Sequence, residues 1–117
     1  MVNWPKQRAW GWYATLIRTP WFCLKLLRFK NSGILSMQRH KHRTELWLFI
    51  KGQGRIEYAH SGRKYHASYR ALWFNKRFDL WRIKPNCWHK FTALDQVVYA
   101  IELQYGRKVT ESDIERK

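Results

Sequence analysis

Imidazole nitrogens, a carboxylate and a carboxamide crowd into Gln38-Arg39-His40-Lys41-His42-Arg43-Thr44-Glu45, and these are side chains that bind divalent cations. On an extended chain side chains alternate between faces, so Gln38, His40 and His42 can point the same way. Glu45 has the opposite parity. A turn within Lys41 to Thr44 would let Glu45 open the next strand and swing its carboxylate back, so that three ligand-type side chains, Gln38, His40 and Glu45, converge from one hairpin. His89, just past Lys84-Pro85-Asn86-Cys87, is the candidate fourth ligand. Such a set suits Zn²⁺, Fe²⁺, Mn²⁺ or Ni²⁺, with Zn²⁺ the first choice. The plain alternative is a hydrogen-bonded hairpin on a surface that carries histidines by chance.

The elements that must position these residues read as strands. Stretches rich in Trp, Tyr, Phe, Val, Ile and Leu recur between Gly, Asn, Ser, Pro and Asp clusters, the punctuation of an antiparallel all-β domain. Trp21 to Phe29 reads as a core strand. Leu46 to Lys51 and Arg55 to Ala59 read as a hairpin turning at Gly52-Gln53-Gly54, where glycine supplies positive φ. A second turn at His60-Ser61-Gly62-Arg63-Lys64 leads into Tyr65 to Tyr69. Further strands are expected at Ala71 to Phe74, Leu80 to Ile83, Trp88 to Leu94 and Val97 to Tyr105. Only Thr110 to Glu115, with Thr and Ser ahead of acids at capping spacing, reads as a short helical turn. Many short strands in one small domain indicate a barrel or a two-sheet jelly roll.

Length and charge narrow the partners. The 117 residues suit one core, a single domain 1–117 with residues 1–9 and 110–117 as peripheral tails. A net charge of +15 points to polyanions or phosphorylated metabolites, while eight Trp, six Tyr and six Phe separate the chain from disordered basic tails. No apolar run approaches the roughly 20 residues of a membrane span, and no signal-peptide pattern opens the chain, so a cytoplasmic protein with no membrane partner is expected. Cys23 and Cys87 are then expected as reduced thiols.

The residues around the ligand cluster resemble the cupin superfamily, and within it the type II mannose-6-phosphate isomerase family. Gln38-x-His40, four residues, Glu45, six residues and Gly52 fit the first cupin motif, with Gln in the first ligand position as in that isomerase family. Leu35 to Trp47 is similar to the family's L-S-L-Q-x-H-x-H-R-x-E-x-W. The second motif is looser: Asn86 stands where Gly is usual, and Pro85 lies one position nearer His89. Trp10-Gly11-Trp12-Tyr13 resembles the family's W-G-x-Y opening, and Ile101 to Gly106 followed by Glu111 to Arg116 resembles I-E-V-Q-x-G and E-D-D-I-x-R.

The resemblance implies a cupin double-stranded β-helix, a jelly-roll barrel, with Gln38, His40, Glu45 and His89 holding one divalent ion. It further implies mannose-6-phosphate isomerase-like chemistry on a phosphorylated sugar. Arg43 would hold the phosphate or the developing charge, and His42 or Glu102 would move the proton. Glu102, between Ile101 and Leu103, faces either the barrel mouth or water. His60 and His66 read as surface residues, and Trp47, Trp73, Trp81 and Trp88 as core or rim packing. Cupins of this kind pair through their sheets, so a homodimer is a candidate assembly. Two other readings stand beside the enzyme: a non-catalytic sugar-binding cupin, and a basic module that binds nucleic acid by phosphate contacts and stacking.

Overall fold

The computed structural model describes residues 5–60, 63–71, 79–94, 97–106 and 114–116. They form ten strands: β1 (Lys6–Arg8), β2 (Gly11–Arg18), β3 (Phe22–Phe29), β4 (Ile34–Arg39), β5 (Arg43–His60), β6 (Arg63–Ala71), β7 (Asp79–Ile83), β8 (Cys87–Ala93), β9 (Val98–Gly106) and β10 (Glu115–Arg116). All pairings are antiparallel. One leaf runs β1-β2-β3-β9-β5-β7; the other runs β6-β5-β8-β4-β10. The strand β5 belongs to both and curls the sheet into a jelly roll.

That role of β5 corrects the expected hairpin at Gly52-Gln53-Gly54. The chain does not reverse there: β5 continues unbroken from Arg43 to His60. Its first part pairs with β9 and β7, and from Gly52 onward it pairs with β6 and β8. Gly52, at φ 103, supplies the bend through which the strand changes leaf. Gly54 allows close approach instead, because a Cβ there would collide with the ring of Phe91. Gly54→Ala is therefore expected to cost about 1–3 kcal/mol by overpacking, seen as a lower urea midpoint with an unchanged slope. The reversal comes between β5 and β6, with His60 paired to Arg63.

The turn after Arg39 also departs from a hairpin. The strand β4 pairs with β8 and β10, whereas β5 begins against β9 and β7, so Lys41 and His42 carry the chain from one leaf to the other. At the C-terminus, Thr110 to Asp113 of the expected helical turn lies outside the described residues. Glu115 and Arg116 are extended and pair with Arg39 and Gln38, because the free edge of β4 offers them ladder hydrogen bonds. The expected strand Ala71 to Phe74 is described only to Ala71, the last residue of β6, and Trp73 lies outside the described residues.

An aromatic core fills the barrel. Phe29 and Phe91 have ring centroids 4.5 Å apart, Phe49 and Phe91 5.1 Å, and Trp47 and Phe49 5.8 Å. Each such buried aromatic contributes about 1.5–3 kcal/mol. Cys23 and Cys87 are buried and not joined in a disulfide. Among the described residues no helix is long and apolar enough to cross a membrane.

Strand alternation then builds a polar end. Inward positions on β9 run Val98, Ala100, Glu102, Gln104; on β5, Phe49, Trp47, Glu45, Arg43; on β3, Phe29, Leu27, Lys25; on β8, Ala93, Phe91, His89. Register aligns the switches, since Trp47 faces Glu102, Glu45 faces Gln104 and Lys25 faces Glu102. These four strands place their buried polar side chains toward the same end of the barrel.

Candidate metal centre

At that polar end, ligand atoms of His40, Glu45 and His89 all lie within 4.8 Å of one another, and all three residues are buried. Glu45 is the hub. Its Oε2 is 3.1 Å from His40 Nε2 and its Oε1 is 3.4 Å from His89 Nε2, while Trp47 Nε1 donates to Oε1 at 3.0 Å. Burial pushes the Glu45 carboxyl up, but the neighbouring imidazoles of His40 and His89 outweigh it and hold the carboxyl well below the usual range.

His89 is oriented from behind. Its Nδ1 lies 3.1 Å from the Cys87 carbonyl oxygen, which can only accept, so Nδ1 carries a proton and the ring turns Nε2 toward Glu45. That Nε2 is buried without a hydrogen-bond partner. The turn that delivers it is tied to the other ligand strand, because the Asn86 amide donates to the His40 carbonyl at 2.6 Å. Asn86 sits at φ 64, the left-handed conformation expected of a residue replacing glycine. Gln38 is buried, lies opposite His89 in register and lines the same cavity as His40 and Glu45.

Arg43 is drawn into the cluster. Its Nε donates to Glu45 Oε2 at 3.1 Å, and its Nη2 lies 2.9 Å from Glu45 Oε2 and 3.0 Å from His40 Nε2. A guanidinium only donates, so it uses lone pairs that an ion would also use. His42 is exposed on the turn between β4 and β5.

Glu102 faces the barrel mouth, buried, with Ile101 and Leu103 on the opposite, half-buried face. Gln104 Nε2 donates to its Oε1 at 2.9 Å. The Glu102 carboxyl is raised to about 8: burial is the largest cause, the charge of Glu45 and a hydrogen bond with it add to the rise, and Lys25 and Arg43 oppose it. Gln104 Oε1 is buried with no partner. The open space is a cavity of about 340 Å³ lined by Gln38, His40, Glu45, Glu102 and Gln104 together with Lys25, Arg43 and residues of β1, β2 and β10, large enough for a small ligand.

Two residues of this wall, Lys25 and Gln104, went unassigned in the sequence. The signal for Gln104 was its parity with Glu102. For Lys25 it was weak, because β3 is apolar on both faces.

Known proteins share this architecture. Capsular polysaccharide assembling protein CapF from Staphylococcus aureus superposes with a TM-score of 0.80 at 16% identity, covering 97% of this chain and 33% of that one. Oxalate decarboxylase from Bacillus subtilis gives 0.80 at 16%, covering 96% and 29%. In sequence, mannose-1-phosphate guanylyltransferase from Escherichia coli is 37% identical over 49 residues, 42% of this chain but 10% of that protein, and the Klebsiella pneumoniae enzyme matches equally. The chain thus spans a tenth of the curated relatives' length and about a third of the solved structures'. The family model for the mannose-6-phosphate isomerase C-terminal region matches residues 3–117. With the family model matching nearly the whole chain, the chain belongs to the mannose-6-phosphate isomerase C-terminal family.

Proposed function

We propose that this domain is a metal-dependent aldose–ketose isomerase of a phosphorylated sugar, mannose-6-phosphate isomerase-like. The observation that carries the reading is the convergence of His40, Glu45 and His89, with His89 Nε2 buried and without a hydrogen-bond partner, beside a cavity that His40 and Glu45 line together with Glu102. The donor set fits a divalent ion: two imidazole nitrogens, a carboxylate, and Gln38 on the same cavity wall. When bound, such an ion would act as a Lewis acid on the sugar's carbonyl and hydroxyl oxygens.

The protein's own groups handle the proton. Isomerisation removes the proton on carbon 2; its electron pair forms the carbon 1–carbon 2 double bond, and negative charge goes to the carbonyl oxygen. Returning a proton to carbon 1, with the hydroxyl proton moving from oxygen 2 to oxygen 1, completes the ketose with no oxidant. Glu102 is the favoured proton carrier over His42, because it is buried in the cavity wall whereas His42 is exposed. A carboxyl raised to about 8 is a stronger base than an ordinary glutamate. Gln104 supports it by donating to Oε1, and its own unpartnered Oε1 can accept from a sugar hydroxyl.

Metal analysis and turnover on one preparation test the reading. About one divalent ion per chain is expected, with interconversion of mannose 6-phosphate and fructose 6-phosphate that stops on chelation and returns on adding metal. Metal without turnover would favour a sugar-binding cupin. A protein that takes up no ion defeats the metal centre.

A further inference from the structure

The leaf that contains β3 and β9 is apolar on both sides. Its inward residues build the aromatic core. Outward, one row runs in register from Leu26 through Ile101 and Leu48 to Leu80. The next runs from Ile17 through Leu24 and Leu103 to Leu46, and ends at Arg82. Phe22 and Tyr105, also paired, close one end of this band, and Arg28 and Tyr99 close the other.

An antiparallel sheet that meets solvent turns polar side chains outward. The other leaf does so, with Arg55 and Glu57 of β5 standing opposite Thr92 and Lys90 of β8, away from the core. On the apolar band, by contrast, Leu80 is 62% exposed, Ile17 46% and Phe22 36%. Among the described residues every strand lies within one of the two leaves, so no strand crosses the band. A contiguous apolar patch above a few hundred Å² marks an interaction surface.

Charge and size select the occupant. A chain of net charge +15 repels its own copy over most of its surface. The two aliphatic rows, however, hold no ionisable side chain before Arg82, and marginal Arg28 is folded onto Tyr99, donating to its hydroxyl at 3.0 Å. Such a surface needs no opposite charge in its partner and complements itself, as isologous contact requires. Five strands about 4.8 Å apart, each contributing up to seven residues of about 3.4 Å, cover roughly 24 Å by 24 Å. Two such faces together hide more than about 1,000 Å², enough for a specific interface.

We propose that this face packs against the same face of a second copy, forming a twofold dimer with the two sheets about 10 Å apart. The pairing stands independently of the isomerase reading. It backs the wall of the candidate site, since Lys25 lies between Leu24 and Leu26, and Glu102 between Ile101 and Leu103, on the same strands.

Sedimentation equilibrium from about 1 μM to about 100 μM tests this, using wild type, Leu80→Lys, Ile101→Lys and Thr92→Lys, the last of which adds the same charge to the other leaf. Wild type should show the mass of two chains, and should dimerise more tightly as salt screens the +15 repulsion. Leu80→Lys and Ile101→Lys should each weaken the dimer by at least about tenfold, the fold-change for losing one buried aliphatic side chain. Thr92→Lys should not. Leu80 is exposed in the single chain, so its replacement does not threaten the fold, and near-ultraviolet circular dichroism checks that of Ile101→Lys. A folded wild-type monomer at every loading overturns the proposal and gives the band to a different occupant. A dimer that both Leu80→Lys and Ile101→Lys leave intact overturns it too, because the copies then meet through another face.

Discussion

Glu45→Gln is expected to abolish stoichiometric metal binding and to lower turnover by at least about a thousandfold, the loss of several kcal/mol of charge stabilisation. One carboxylate holds four partners, His40, His89, Arg43 and Trp47, so an amide of the same shape removes the charge without opening a cavity. Arg43, 5% exposed, would be left as a buried guanidinium facing a neutral group. Breaking a buried pair from one side costs about 3–5 kcal/mol. Adding Arg43→Met should recover much of that stability and none of the metal binding, a split that urea denaturation and metal analysis read separately. If Glu45→Gln still holds one ion per chain, Glu45 is not a ligand.

Acid adds a second signature of the same residue. Because the folded Glu45 carboxyl lies well below its unfolded value, its stabilisation of the metal-free protein is full above the unfolded value, near 4.5, and is lost as pH falls through the folded one. Glu45→Gln should lack this acid limb, which thermal melting of chelated protein at descending pH would reveal.

The candidate ligands were legible because their chemistry is local. Gln38, His40 and Glu45 lie within one short stretch, and the turn that Glu45's parity demands does occur at Lys41 and His42. What spacing could not reveal is that this turn joins two leaves, since strand partners are chosen by residues far along the chain. The same limit hid the course of β5. Glycines at 52 and 54 carry the local chemistry of a reversal, yet β8 and β6 both pair with the residues beyond them, and that long-range pairing keeps the strand straight enough to continue. Lys25 was hidden differently. In Phe22-Cys23-Leu24-Lys25-Leu26-Leu27-Arg28-Phe29 both parities are apolar, so alternation gives no side to the lysine until pairing with β9 sets it opposite Glu102.

Glu102→Gln is expected to lower turnover by about a hundredfold to ten-thousandfold, the range for loss of a positioned acid or base. The amide oxygen can still accept from Gln104 Nε2, so the wall should keep its shape. Stability against pH separates this proton role from a packing role. In metal-free protein the folded carboxyl keeps its proton to about pH 8, whereas the unfolded one releases it near 4.5. Between those values the folded state binds the extra proton. Its stabilising contribution is therefore full below the unfolded value and is lost as pH rises, by up to about 1.4 kcal/mol per pH unit. Glu45 is ionised in both states across that window and adds no slope of its own. Melting curves of wild type and Glu102→Gln should thus diverge from pH 5 to 8, with the variant holding its stability as the wild type loses it. Parallel curves would mean that Glu102 is ionised in the folded chain, its charge balanced by Lys25, its register partner.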